Sequence, residues 1–186
     1  MYRESIVSLK KWKEDKFRKP LIVRGARQVG KTWLLQEFGR TSYDKLVYVN
    51  FEETPALQNI FSNDFDIERI ITVLQIQAQT TITAEDTLIV LDEIQSAERG
   101  VTSLKYFCEN APQYHIIAAG SLLGMGLHSQ VSFPVGKVDF LDLRPLSFYE
   151  FLLSLNESAL VDALKAKNWG VISIFTEKLK EYLRYY

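Results

Sequence analysis

The run Gly25-Ala26-Arg27-Gln28-Val29-Gly30-Lys31-Thr32 constrains this chain more than any other feature of it. It fits the spacing G-x-x-x-x-G-K-[ST], and it lies where that spacing is physically useful. The apolar run Leu21 to Val23 precedes it, and a helix-patterned stretch with Leu34, Leu35 and Phe38 follows. Glycines let a backbone turn tightly and approach an anion, so that successive N–H groups and the start of the helix point at negative charge. Lys31 adds a point charge for the β- and γ-phosphate oxygens, and the Thr32 hydroxyl suits Mg²⁺. The pattern predicts a phosphate-binding loop for ATP and Mg²⁺, with Gly25 to Thr32 and the adjoining Trp33 as the contacting residues. The loop alone does not distinguish adenine from guanine.

The rest of the chain supplies the scaffold such a loop needs. Five short apolar runs have strand character: Leu21 to Arg24, Leu46 to Phe51, Thr87 to Leu91, His115 to Ala119 and Val138 to Leu143. Leu88-Ile89-Val90-Leu91 shows no polar alternation, which suits a strand covered on both faces. Helical stretches lie between them. In the clearest, Ile67, Ile70, Ile71, Leu74 and Ala78 share one face, with Asp66 as the expected N-cap. An amphipathic helix over 4–17, carrying Ile6, Leu9 and Trp12, leads the chain and stops before Pro20. Strands alternating with helices imply an α/β fold with a parallel sheet, because parallel strands need crossover connections.

Thr87 to Leu91 runs into Asp92-Glu93. A carboxylate at the end of an apolar strand is costly to desolvate without a partner. Magnesium held by Thr32 supplies one, which makes Asp92 the second metal residue; Glu93 is then placed to position and polarise an attacking water. An Asp-Glu pair here favours hydrolysis over phosphoryl transfer. A P-loop kinase and a nucleotide-dependent interaction module with little turnover are the alternatives.

Weaker signals fill in the site. Ser121, just after His115 to Ala119, suits a sensor of the γ-phosphate, and Leu122 to Gly136 has the glycines and proline of a loop. Lys137, Arg144 and Arg99 are candidates for an additional cation at the γ-phosphate. The basic residues Lys10, Lys11, Lys13, Lys16, Arg18 and Lys19 are interrupted by Glu14 and Asp15 and read as a solvated helix face. With a formal net charge of −1, composition gives no support for nucleic-acid binding. Two histidines and the lone Cys108 give no metal-site spacing and no internal disulfide, which fits a reducing cytoplasm. No apolar run approaches the length of a membrane span.

Arg24 to Thr32, Leu91-Asp92-Glu93-Ile94-Gln95, Ala119-Gly120-Ser121 and Arg144-Pro145-Leu146-Ser147-Phe148-Tyr149-Glu150-Phe151 together resemble the bacterial and archaeal AAA-type ATPases. The resemblance implies a P-loop sandwich with five parallel strands in the order 5-1-4-3-2, nucleotide lying at their carboxyl ends. It makes Lys31, Glu93 and Ser121 the expected catalytic residues. It also implies an ATPase domain over 1–155, a helical segment over 156–186, and a following C-terminal domain of nuclease-like character. That domain and a second copy of the chain are the expected partners. Phe175, Leu179, Tyr182, Leu183 and Tyr186 keep helical spacing to the last residue, in line with a chain that continues.

Overall fold

The structure is a computed structural model and describes residues 2–120 and 134–186. Two compact units emerge, one of Ile6–Leu143 and one of residues 2–5 with Arg144–Tyr186.

In the larger unit, five strands form one parallel sheet: β1 (Leu21–Arg24), β2 (Lys45–Asn50), β3 (Thr87–Asp92), β4 (His115–Gly120) and β5 (Asp139–Asp142). Their spatial order is β2-β3-β4-β1-β5, the order 5-1-4-3-2 read from the other edge. Register fixes the functional ends: Arg24 pairs with Gly120, and Asn50 with Asp92, so the carboxyl ends of β1 to β4 lie along one rim.

Side chains alternate across the sheet, and each face has its own core. Val47, Val49, Ile89, Leu91, Ile116 and Ala118 pack against α3 (Ile67–Ala78) and α4 (Gly100–Asn110) through Ile70, Leu74, Leu104 and Phe107. Leu21, Val23, Leu88, Val90, Ile117 and Ala119 pack against α1 (Ser5–Glu14) and α2 (Lys31–Ser42) through Leu9, Trp12, Leu34, Leu35 and Phe38. All six residues of β3 are buried, as its unbroken apolar run requires. At roughly 1.5–3 kcal/mol for each large apolar side chain, Leu88, Ile89, Val90 and Leu91 make this inner strand a strong apolar tie between the two faces. Asp66 caps α3 as expected, accepting hydrogen bonds from the amides of Glu68 and Arg69 at 3.0 and 3.2 Å.

The rim away from the carboxyl ends holds a buried histidine. His115 Nδ1 lies 2.6 Å from the Tyr43 hydroxyl, and Trp12 meets the imidazole edge-on. Burial first, then the charges of Arg18 and Lys13, push the His115 pKa down from 6.5 to about 4. The unfolded chain therefore binds a proton that the folded one refuses. This contribution to stability is complete above pH 6.5 and is lost as pH falls towards about 4. The shift corresponds to about 3 kcal/mol as an upper bound, since solvent at the sheet rim screens part of it. Urea denaturation of His115→Gln, which keeps an acceptor for Tyr43, is expected to lose that part of the acid dependence. An unchanged acid slope would remove His115 as its source.

The smaller unit explains one of the more specific sequence blocks. Ser147 caps α5 (Phe148–Ser154) by accepting from the Glu150 amide at 3.2 Å, and Glu150 Oε2 accepts from the Ser147 amide at 2.8 Å. This reciprocal capping box satisfies two helix-end donors that would otherwise be unpaired. Glu150 Oε1 also accepts from the Glu4 amide and pairs with the buried Arg3 guanidinium at 3.5 Å. The Pro-Leu-Ser-Phe-Tyr-Glu-Phe run is thus a helix start that pins the chain's first residues. Three further helices, α6 (Ser158–Lys165), α7 (Trp169–Ile174) and α8 (Thr176–Tyr185), bury Leu160, Val161 and Leu179 with Leu152.

Candidate nucleotide site

At the carboxyl end of β1 the chain turns through Gly25–Gly30 into α2. The two fixed glycines are required for different reasons. A Cβ on Gly25 would stand 2.3 Å from the Leu143 carbonyl oxygen, a backbone atom that cannot step aside. Gly30 has open space around it but sits at φ 88°, a left-handed conformation that side chains disfavour. No side chain caps the first turn of α2, so its N–H groups face the cleft as an anion-binding helix end.

Lys31 is only 7% exposed, and its Nζ donates to the carbonyls of Gly25 at 3.0 Å and Ala26 at 2.9 Å. The loop thereby holds the ammonium over its own concavity, with a third N–H remaining for an anion. Thr32 Oγ1 donates to Asp92 Oδ2 at 3.0 Å, which joins the phosphate loop to the end of β3. Asp92 is 2% exposed and meets the cost of burial with three donors: Thr32, the Tyr48 hydroxyl at 2.5 Å on the same oxygen, and the Glu93 amide at 3.0 Å on Oδ1.

Glu93 follows at φ 47°, an uncommon conformation for a side-chain-bearing residue and one that recurs at functional sites. The kink ends the strand and brings Glu93 to the wall of a cleft of about 610 Å³, shared with Arg27, Gln28, Lys31, Thr32 and Trp33. Gln28, which also lines the cleft, is left-handed too, at φ 65°. Gln95 Nε2 donates to Glu93 Oε2.

The structure thus brings together Arg27, Gln28, Gly30, Lys31, Thr32, Trp33 and Glu93 around the cleft, with Asp92 bonded to Thr32 beneath it. Gly25, Ala26 and Val29 complete the loop, with Val29 turned into the core. Ser121 lies outside the described residues, as does most of the loop from Leu122. Lys137 is paired with Glu109 at 2.9 Å, and Arg99 stacks on Phe65 and donates to the Ser62 carbonyl at 2.8 Å. Both cations are engaged in contacts within the unit. Sequence reasoning missed Tyr48, Gln95 and Gln36. Tyr48 alternates with the buried Val47 and Val49, which marks it as facing the α2 side, but nothing in that pattern says it reaches Asp92. Burial first, then the bond to Asp92, push its hydroxyl well above the usual tyrosine range, so it remains a donor.

The donor set fits a magnesium-bound polyphosphate: backbone N–H groups, one ammonium, one hydroxyl and a buried carboxylate in bonding contact with that hydroxyl. No group of three or more histidine, cysteine or acidic residues suited to holding a metal unaided occurs among the described residues. The fold and loop together are those of a P-loop nucleotide-binding domain. A family model described as an AAA domain matches residues 17–152, and the chain belongs to that family.

Among solved structures, the fold is similar to one in Drosophila ORC bound to DNA, with a TM-score of 0.53 and 14% identity over 97% of this chain and 50% of that one. Caenorhabditis elegans PCH-2 is a weaker match, with a TM-score of 0.47 and 13% identity over 88% and 46% of the two chains. This chain spans about half the length of either, and at these identities the likeness concerns the fold. No curated protein matches it in sequence. No described helix is long and apolar enough to cross a membrane.

Proposed function

We propose that this domain binds ATP with Mg²⁺ at Gly25–Trp33 and Asp92, and hydrolyses it with Glu93 as the residue that positions water. The observation that carries the reading is the 3.0 Å bond from Thr32 to Asp92 directly beside the buried Lys31 ammonium. The bond holds a hydroxyl and a carboxylate together at the residue that follows the fixed positive charge.

In this reading the loop amides and Lys31 bind and orient the β- and γ-phosphates. Thr32 and Asp92 hold the magnesium, which when bound neutralises charge on the phosphate oxygens. Glu93 is not required at the metal; its carboxylate instead orients a water and takes its proton as the new oxygen bond to the γ-phosphorus forms and the bond to the β–γ bridging oxygen breaks, releasing ADP and phosphate. A cation supplied by a second copy of the chain or by a C-terminal domain would complete the site; of the candidates within this chain, Lys137 and Arg99 are already engaged. Ser121 keeps its proposed role as sensor. We place the activity in the cytoplasm of a prokaryote, coupled to work done by that further domain. One observation favours the low-turnover alternative: the Glu93 carboxylate already accepts from Gln95.

Phosphate release from ATP tests the proposal. Release is expected to require Mg²⁺, to stop with EDTA, and to match ADP formed without transfer to added small acceptors. A missing external cation can depress the rate by about 10³–10⁵, so binding of Mg·ATP is measured in parallel. Mg²⁺-independent release, or neither binding nor release, would remove the assignment.

A further inference from the structure

Tyr48 carries chemistry that the phosphate-loop pattern does not include. We infer that Tyr48 is a positioning residue for the magnesium site: it orients Asp92 towards the cation by donating to the same carboxylate oxygen as Thr32. The inference rests on the reading of the cleft as a Mg·ATP site.

A carboxylate offers about four lone-pair directions. On Asp92, Oδ2 accepts from Thr32 at 3.0 Å and from Tyr48 at 2.5 Å, and Oδ1 accepts from the Glu93 amide at 3.0 Å. Thr32 comes from the start of α2 and the Glu93 amide from the residue that follows Asp92 itself. Tyr48 is different, because it reaches in from β2, the strand beside β3, with its Cα level with Val90 and two residues short of the Asn50–Asp92 pair. A long aromatic side chain spans that offset, and its ring is partly packed in the core on the α2 side of the sheet. The phenol is therefore a stiff strut with its hydroxyl fixed on one oxygen.

Thr32 and the Glu93 amide give each Asp92 oxygen one donor; Tyr48 adds the second on Oδ2, which fills that oxygen and leaves the remaining lone pair on Oδ1. Partners in the shell behind a metal residue typically change metal affinity by about 10–100-fold when removed. Two other donors stay on Asp92, so the lower end of that range applies to Tyr48.

Tyr48→Phe removes the hydroxyl and keeps the ring, so the core contact survives. ATP affinity is measured by calorimetry in EDTA and then across a Mg²⁺ series, in the variant and the original protein. The expected result is an unchanged affinity in EDTA and a roughly tenfold increase in the Mg²⁺ concentration needed for the half-maximal effect. Thermal unfolding without ligand, expected to be nearly unchanged, separates this from a general loss of structure. Superimposable Mg²⁺ series would overturn the role of Tyr48 and leave the site reading standing. An equal loss of affinity with and without Mg²⁺ would make Tyr48 merely structural and overturn it too. If the original protein shows no Mg²⁺ dependence at all, the site reading fails and the role of Tyr48 fails with it.

Discussion

Glu93→Gln is expected to lower ATP turnover by about 10²–10⁴-fold while Mg·ATP still binds with nearly its original affinity. The substitution preserves the shape of the side chain at the cleft wall and removes only its ability to take a proton. It also leaves an oxygen for Gln95 to donate to, so the local contact need not break. Phosphate release and nucleotide binding, measured on the same preparations, separate the two effects. Equal turnover would show that Glu93 does not position the water, and the protein would then be better described as a nucleotide-binding switch.

Lys31→Ala is expected to act one step earlier, on binding itself. The ammonium is buried and already oriented by the Gly25 and Ala26 carbonyls, so little ordering remains to be done when a polyphosphate arrives. Charge-assisted hydrogen bonds contribute about 1.5–3 kcal/mol each, and Lys31 can direct its charge at oxygens of two phosphates. Its loss should therefore weaken Mg·ATP by about 10²-fold or more. The fold should tolerate the change, because the two carbonyls released lie beside an open cleft where water can reach them. Calorimetry giving an unchanged affinity would remove the phosphate-loop assignment.

Much of this arrangement was legible in the residues because apolar periodicity and the phosphate-loop spacing report local necessities. The runs read as strands became β1 to β5 with ends shifted by about one residue, as boundaries generally are. Asp66 capped its helix because an Asx residue ahead of an apolar helical face has few other uses. The strand order followed from the family resemblance, since periodicity carries no information on which strands are neighbours. Tertiary reach was not legible. Tyr48 read as one more strand aromatic, and its bond to Asp92 exists only because β2 lies beside β3 in one register. Arg99 and Lys137 read as candidates for a cation at the γ-phosphate, yet Phe65 and Glu109, distant in sequence from each, engage them. The Ser147–Glu150 block read as a family signature, and its physical content is a capping box tied to Arg3.

The position of β1 has a consequence for synthesis. It is among the earliest strands made, but its neighbours on both sides, β4 and β5, are the last two, about a hundred residues downstream. The Leu143 carbonyl that abuts Gly25 belongs to the same late segment, and the Leu143 amide bonds to Arg24 just before the loop. A nascent chain that has not yet released β5 from the ribosome holds the complete phosphate-loop sequence and lacks the walls that shape it. Closing contacts of this length makes folding slow relative to local structure. Nucleotide, which can recognise only the closed loop, would then arrive as a late reporter of correct assembly, and would stabilise the finished sheet without templating the unfinished one.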